Sequence, residues 1–280
     1  MHDFLADFSR DTEFRKLLTR REDIHLPTAA LELARDADPE LDFRETLEWI
    51  DARSRDVAGP LARAQNDKEM LRELAACLGG EYGLSGSADC YAEPESSFLN
   101  CVIERRTGLP IALSILYMAV AERAGIPLQG VGAPSHFLAR YETFDTPLFV
   151  DAFAGGTILT LRQCLDRVRE RSGLSSEEAR AVLEPVGSRA IITRMLNNLK
   201  SLYAKQEDWR ACWNVQHRLL ALQPGAYHER RDWALVALRT DRIGPAIDML
   251  QSCLPACPLD ERPHLENLLE ESRHQLARWN

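Results

Sequence analysis

Residues 108–120, GLPIALSILYMAV, belong to the longest apolar run of the chain. Pro110 suits the first turn of a helix, where a residue without a backbone N–H loses no hydrogen bond. Apolar side chains then follow on every side of this helix, so the pattern predicts that most of it is buried. Gly125-Ile126-Pro127 is a typical helix end. The stretch therefore predicts one long buried helix at the centre of the fold.

The segment after Gly125 changes to a period of two, which is typical of strands. The alternating segments are residues 128–132, 136–141 and 148–153. Gly155-Gly156, between apolar residues, indicates a hairpin turn. Two pairs match capping boxes that open further helices: Thr160 with Gln163, and Ser175 with Glu178. The pattern predicts a buried helix packed on a small antiparallel sheet.

Residues 1–96 are predicted to form an acidic helical cap. Residues 1–100 contain 22 acidic and 12 basic side chains, and the whole chain has a net charge of −9. Cap residues and glycines set the helix boundaries: Asp38-Pro39 to Gly59-Pro60, and Asn66 to Gly79-Gly80. Residues 82–96 are rich in turn formers and are predicted to be a loop. A further short helix is expected to end near Gly108.

The carboxyl-terminal region repeats itself with an offset of 34 residues. This offset aligns Leu199 with Trp233 and Pro224 with Pro258, as expected for paired-helix tetratricopeptide units. Lys200 stands where a small residue is expected, so an unrelated run of amphipathic helices stays open as an alternative. The fold class is therefore α+β, and we expect three regions: residues 1–96 (helical cap), 97–185 (core) and 186–280 (helical repeats).

Composition limits the function classes. The longest apolar run is shorter than 18 residues and the amino terminus lacks a basic flank, so we expect a cytoplasmic protein with no membrane partner. An acidic chain without a basic stripe binds phosphate backbones poorly, so we expect no nucleic-acid partner. Seven scattered cysteines without a CxxC pair fit reduced thiols. The histidines other than His136 have no partner at ligand spacing, so we expect no metal and no cofactor.

His136 and Asp151 form the candidate functional pair. A cysteine at a helix amino terminus has a lowered pKa, and a strand-borne histidine oriented by an aspartate then pairs with its thiolate. His136 and Asp151 supply the base and the orienting group of such a site. Pro110 stands where the cysteine is expected, so the nucleophile is missing. Alternatively, the pair is a satisfied polar contact that stabilises the sheet or binds a ligand.

Three residues are candidates for a relocated nucleophile. Cys101 lies nine residues before Pro110, but its apolar neighbours favour an inert thiol, because burial raises a thiol pKa. Ser114 lies one turn beyond Pro110, although a serine inside a buried helix commonly bonds the carbonyl four residues back. Cys90 lies in the loop 82–96, without a positioning helix. Ser114, His136 and this loop could also line a groove for an extended peptide.

Five motifs carry a resemblance to a known family. They are residues 102–114 (VIERRTGLPIALS), Gly125-Ile126-Pro127-Leu128, Gly130-Val131-Gly132, Ser135-His136-Phe137 and Val150-Asp151. Together they resemble the transglutaminase-like, papain-like core of the bacterial SirB family, which carries a tetratricopeptide tail; a similar module is known in a eukaryotic F-box protein. The resemblance implies a Gly-x-Cys helix start, a histidine on the first strand and an aspartate on the next. Gly108-x-Pro110 departs from it at the nucleophile.

These observations lead to two functional expectations. The first is a non-catalytic protein that binds a peptide or protein partner through a vestigial cleft and the helical repeats, with a role in regulation or assembly. The second is an amide hydrolase or acyltransferase that uses His136 and Asp151 with Cys101, Cys90 or Ser114 as nucleophile. The environment of the His136 imidazole distinguishes them, because catalysis requires a nucleophile within about 3–4 Å.

Overall fold

The computed structural model describes residues 7–279, with the side chains of residues 7–278. The chain divides into two compact units, Phe8–Met195 and a unit that contains Asp7 and the chain from Leu196 onward. Helices surround a small antiparallel sheet in the first unit, and the second unit is helical. The predicted α+β class is confirmed. Within the described residues, no helix is long and apolar enough to span a bilayer.

Eight α-helices belong wholly to the described part of the first unit. They are α1 (Thr12–Leu18), α2 (Leu26–Ala34), α3 (Phe43–Leu61), α4 (Asp67–Ala75), α5 (Leu99–Arg105), α6 (Pro110–Arg123), α7 (Leu161–Ser172) and α8 (Ser176–Ala181). Asn66 caps α4 as predicted, since its side chain accepts the Glu69 N–H at 3.0 Å. The predicted start of α3 at Asp38-Pro39 is wrong. Asp42 caps α3 instead and accepts the Arg44 N–H at 2.9 Å.

The segment between α4 and α5 is more regular than a loop. α4 ends at Ala75, four residues before the predicted stop, and the chain continues through one turn of π-helix, Ala76–Glu81. Gly79 and Gly80 lie inside this turn. The predicted loop that follows contains two short 3₁₀ turns, Ala88–Ala92 and Pro94–Ser97.

α6 is the predicted central helix. Every residue from Pro110 to Ala121 is buried. It ends at Arg123, and Gly125 follows with a φ of +82°, a left-handed conformation that favours glycine. The helix contacts the first two strands and the 3₁₀ turn Ala152–Ala154. The central helix thus lies directly against the segment that carries Asp151.

Four strands form the sheet, in the order β1-β2-β3-β4 with every neighbouring pair antiparallel. They are β1 (Leu128–Val131), β2 (Leu138–Tyr141), β3 (Leu148–Asp151) and β4 (Thr157–Thr160). Phe149 lies opposite Leu159, and both pack in a core cluster with Cys164 and Val168 of α7. Both predicted capping boxes are present, at α7 and α8. One sheet face therefore packs against α7, and α6 contacts β1 and β2.

The carboxyl-terminal region consists of helices, as the repeat predicts. They are α9 (Ser188–Lys205), α10 (Trp209–Leu222), α11 (Tyr227–Arg239), α12 (Ile243–Cys253) and α13 (Arg262–Trp279). Among them, α10 packs on α11, α11 on α12 and α12 on α13. Lys200 replaces the expected small residue because it joins a buried polar network. Its ammonium lies 3.3 Å from Glu229 and 3.0 Å from Asp232, and Gln216 donates to Glu229 at 2.8 Å.

Candidate functional site

Asp151 is the last residue of β3, and two backbone N–H groups hold it, one at its carboxylate and one at its carbonyl. Its Oδ1 accepts the Ala154 N–H at 3.2 Å, so the side chain caps the 3₁₀ turn Ala152–Ala154. Its backbone carbonyl accepts the Gly156 N–H at 2.9 Å, which closes the turn to β4. Only 5% of the side chain is exposed. The carboxylate is therefore held by a backbone N–H three residues along the chain, independently of other side chains.

His136 lies in the turn before β2, and the prediction that it lies on a strand is wrong. Its N–H donates to the carbonyl of Ala133 at 3.1 Å, which closes a turn instead of a strand ladder. Ser135 has a φ of +53°, which is uncommon for a residue other than glycine. The Arg194 guanidinium donates to the carbonyls of Ala133 and His136 at 2.9 and 2.7 Å. Arg194 therefore fixes the turn that carries the imidazole.

The two side chains meet at hydrogen-bond distance. His136 Nε2–H donates to Asp151 Oδ1 at 2.8 Å, and Arg167 donates to Oδ2 at 3.3 Å. Burial by itself raises the pKa of Asp151, but the hydrogen bond and charge of His136, the Ala154 N–H and Arg167 together hold it below its usual value. The Phe153 ring stands edge-on to the imidazole at 5.9 Å. Asp151 is thus an ionised partner that orients His136.

The space beside His136 is very small. The His136 cavity has a volume of about 20 Å³ and is lined by Ala133, Pro134, His136, Leu138, Leu159, Cys164, Arg167, Val168 and Arg171. A cavity of this size holds about one water molecule. A peptide amide does not fit beside the imidazole while these walls stay closed.

No side-chain nucleophile is bonded to the imidazole. Within residues 7–279, the only hydrogen-bond partner of the His136 ring is Asp151. Ser114 is fully buried, and its hydroxyl has no hydrogen-bond partner in the described part of the chain. Cys101 is half-buried on α5, and burial raises its thiol pKa, which keeps the thiol protonated. Cys90 is buried in a 3₁₀ turn, where its Sγ lies 3.4 Å from the Ser87 hydroxyl.

The segment before α6 is shaped by packing. Pro110 is the first residue of the helix and is buried. A Cβ at Gly108 would lie 2.6 Å from Cγ2 of Val102 and 3.3 Å from the carbonyl of Ser96. The Leu109 N–H donates to that same carbonyl at 2.8 Å. Close packing against Val102 and Ser96 therefore explains the glycine at position 108 without any role in a reaction.

The structure adds residues to the site that the sequence did not reveal. Cys164 and Arg167 line the His136 cavity from α7, and their spacing of three residues places them on one helix face. Burial raises the pKa of the Cys164 thiol to about 12, so at neutral pH it is protonated and a poor nucleophile. Arg194 lies 58 residues from His136, and no sequence pattern links the two. Among the described residues, no cluster of three His, Cys, Asp or Glu side chains could hold a metal ion.

The helical unit contains a much larger concavity, which we call the repeat groove. Its volume is about 800 Å³, and it is lined by Asp7, Trp213, His217, Leu220, Trp233, Arg242, Pro245, Asp248, Met249 and Ser252. The rings of Trp213 and Trp233 lie 4.7 Å apart, and the Arg242 guanidinium lies 4.2 Å from the centre of the Trp213 ring. Trp213 and Trp233 thus pack on each other and also form a wall of the groove.

Comparisons with known proteins agree with this architecture. A family model described as the transglutaminase-like superfamily matches residues 42–197, and one described as a tetratricopeptide repeat matches residues 199–271. A UPF0162 protein of Xylella fastidiosa is 33% identical over 266 residues, which cover 89% of this chain and 92% of that protein. Protein SirB1 of Salmonella typhimurium is 24% identical over 207 residues, covering 71% and 74%.

The similarity also extends to a eukaryotic protein. F-box only protein 21 of mouse is 34% identical over 180 residues, which cover 61% of this chain and 27% of the mouse protein. No solved structure matches the chain. The resemblance to the SirB family that the motifs carry is confirmed, and the family match begins at residue 42, upstream of those motifs.

Proposed function

We propose that this chain, which belongs to the transglutaminase-like superfamily and carries tetratricopeptide repeats, is a non-catalytic protein that binds a protein or peptide partner. The partner engages the repeat groove and the outer edge of the vestigial cleft at His136, in a regulatory or assembly role. We place the protein in the cytoplasm, since its seven cysteines are unpaired thiols.

The contrast between the two concavities carries this proposal. The His136 cavity, where a reaction would take place, holds about 20 Å³. The repeat groove holds about 800 Å³, within the usual range of about 300–1,000 Å³ for binding sites. Aromatic and arginine side chains, which dominate binding energy at protein interfaces, form one wall of it: Trp213, Trp233 and Arg242. The repeat groove is therefore large enough for a peptide segment, whereas the His136 cavity is too small for a peptide substrate.

The state of the thiols supports the absence of turnover. An active thiol enzyme lowers the pKa of its nucleophile, whereas burial raises the pKa of Cys77, Cys101 and Cys164. The hydrogen bond from His136 is given to Asp151, and Arg194 fixes the turn around it. The pair acts in this proposal as a rigid polar element of the cleft wall.

A photo-crosslinking experiment tests the binding role. A photoreactive amino acid is placed at Ser252, which lines the repeat groove, or at Gln251, an exposed neighbour on the same helix outside the groove lining. We expect Ser252 to form a covalent adduct in cells with a partner that the Gln251 variant does not capture. The partner is then purified, and its affinity is measured by calorimetry against the wild type and Arg242→Glu. Equal capture from both positions, or equal affinity for both proteins, contradicts the proposal.

Thiol labelling tests the absence of catalysis. The folded protein is treated briefly with iodoacetamide at pH 6, and each cysteine is followed by peptide mass spectrometry. We expect no cysteine to react faster than a free thiol at that pH, in the wild type and in His136→Ala alike. Rapid labelling of one cysteine that disappears in His136→Ala would identify a relocated nucleophile and favour the hydrolase.

A further inference from the structure

The outer edge of the His136 cavity carries positive charge on an acidic protein. Arg167 and Arg171 lie one turn apart on α7, and both line the cavity. The chain as a whole has a net charge of −9. Tyr91 stands close by, because its ring lies 5.9 Å from the ring of Phe153, which in turn lies 5.9 Å from that of His136. We call Arg167, Arg171 and Tyr91 the arginine mouth.

The two guanidinium groups of the arginine mouth lack strong ion-pair partners within the part of the chain that the structure describes. Arg167 lies 3.3 Å from Asp151 Oδ2, whereas charge-assisted N–H···O bonds are typically about 2.7–2.9 Å. Its side chain is 47% exposed, so the guanidinium can turn outward. Arg171 forms no hydrogen bond and no ion pair with any described residue. Two like charges one helical turn apart destabilise the helix slightly. An external anion relieves that repulsion.

Tyr91 adds a half-exposed ring to the arginine mouth. Burial raises the pKa of its phenol, and the positive charge of Arg171 acts against this rise. The two guanidinium groups match the acceptor oxygens of a carboxylate.

We propose that the arginine mouth binds an aspartate- or glutamate-rich segment of a partner protein, one carboxylate of which pairs with Arg171 and draws Arg167 away from Asp151. The inference rests on the proposed function in that the partner is a protein. The net charge of −9 opposes a long polyanion such as a nucleic acid, which extends over the surrounding acidic surface, whereas a short acidic segment stays within about a Debye length of the two arginines. The segment reaches the mouth from outside and does not have to enter the 20 Å³ cavity.

Fluorescence anisotropy with a defined probe tests this inference. The probe is a fluorescein-labelled peptide of six glutamates separated by glycines, at 50 mM NaCl; its counterpart has glutamine in place of glutamate. We expect binding of the glutamate peptide alone, about tenfold weaker in the double variant Arg167→Gln, Arg171→Gln. Arg169→Gln removes one exposed charge from the same helix outside the cavity lining, and we expect its affinity within twofold of the wild type.

Charge reversal gives a second arm. The Arg171→Glu variant should no longer bind the glutamate peptide and should bind the matching lysine peptide instead. Equal weakening in Arg169→Gln, absence of binding to the wild type, or tighter binding of an oligonucleotide of the same charge overturns the inference. Crosslinking at Ser252 reports the proposed function independently. A failed peptide titration with successful groove crosslinking rejects only the arginine mouth.

Discussion

Replacement of Gly79 by alanine perturbs the backbone that positions Asp151. Gly79 lies in the π-helical turn Ala76–Glu81, against the turn between β3 and β4. A Cβ at this position would lie 2.1 Å from the carbonyl oxygen of Gly155 and 2.9 Å from the hydroxyl of Tyr117. The N–H of Gly156, the residue after Gly155, donates to the backbone carbonyl of Asp151 at 2.9 Å. The clash is therefore with backbone atoms that cannot rotate away.

The expected cost follows from this geometry. Carbon–oxygen contacts without overlap are about 3.3–3.6 Å, so the two segments must separate by about 1 Å. Overpacking costs about 1–3 kcal/mol, and the upper end applies because the contact atom belongs to the backbone. Alanine returns about 0.5–1 kcal/mol because it restricts the unfolded chain. The net loss is about 2 kcal/mol, which for a unit of this size lowers the Tm by about 4–8 °C.

Gly80→Ala is the matched control. A Cβ at Gly80 meets no atom within 4 Å, and neither glycine has a positive φ. We expect the Gly80 variant to melt at the wild-type temperature or up to about 4 °C above it. Differential scanning calorimetry of both variants at pH 7 measures the difference. If Gly79→Ala melts as high as Gly80→Ala, the π-turn does not press on the hairpin and the reasoning is refuted.

Three further perturbations test the site and its support. Tyr117→Phe should raise the Tm by about 2–4 °C in calorimetry, because the buried hydroxyl has no partner among the described residues and its removal relieves a desolvation cost of about 1 kcal/mol; an unchanged or lower Tm contradicts this. Asp151→Asn should cost about 1–3 kcal/mol in urea unfolding at pH 7. Because the folded pKa of Asp151 is lowered, its stabilising contribution is lost as the pH falls from about 4 through that lower value, so the difference from wild type should shrink by pH 3; a constant difference refutes it. Arg194→Lys should speed amide exchange in the turn at His136, since both hydrogen bonds come from one guanidinium nitrogen, Nη2, and the lysine ammonium, on a side chain one bond shorter, does not reach that position; unchanged exchange contradicts that role.

Local patterns predicted most of the regular structure. The central helix begins at Pro110 as expected, and both capping boxes open the helices that they predict. These features depend on residues within about four positions of each other, so a single sequence contains the needed information. Asp38-Pro39 misled the prediction of α3, because Asp42 competes as a second cap four residues later.

The candidate site was predictable only in part. The sequence identifies His136 and Asp151, but it predicts a strand where the structure has the turn that carries His136. The alternation of residues 136–141 is typical of a strand. However, the His136 N–H donates to the Ala133 carbonyl and the His136 carbonyl accepts from Arg194, so neither group pairs with a neighbouring strand. Arg194 belongs to a different helix, and no local pattern indicates that it reaches this turn.

The sequence by itself determined the α+β class, the buried helix, the helical repeats and the identity of the polar pair. The class and the buried helix follow from periodicity and capping among neighbouring residues, the repeats from an offset of 34 residues, and the polar pair from motifs that resemble a known family; all of these can be read along the chain. The tertiary structure decided the geometry of the site: that Ser114 is fully buried, that the space at His136 is about 20 Å³, and that Arg167 and Arg171 line it. Cavity volume and burial depend on segments far apart in the chain that pack together, and only the folded chain brings those segments into contact.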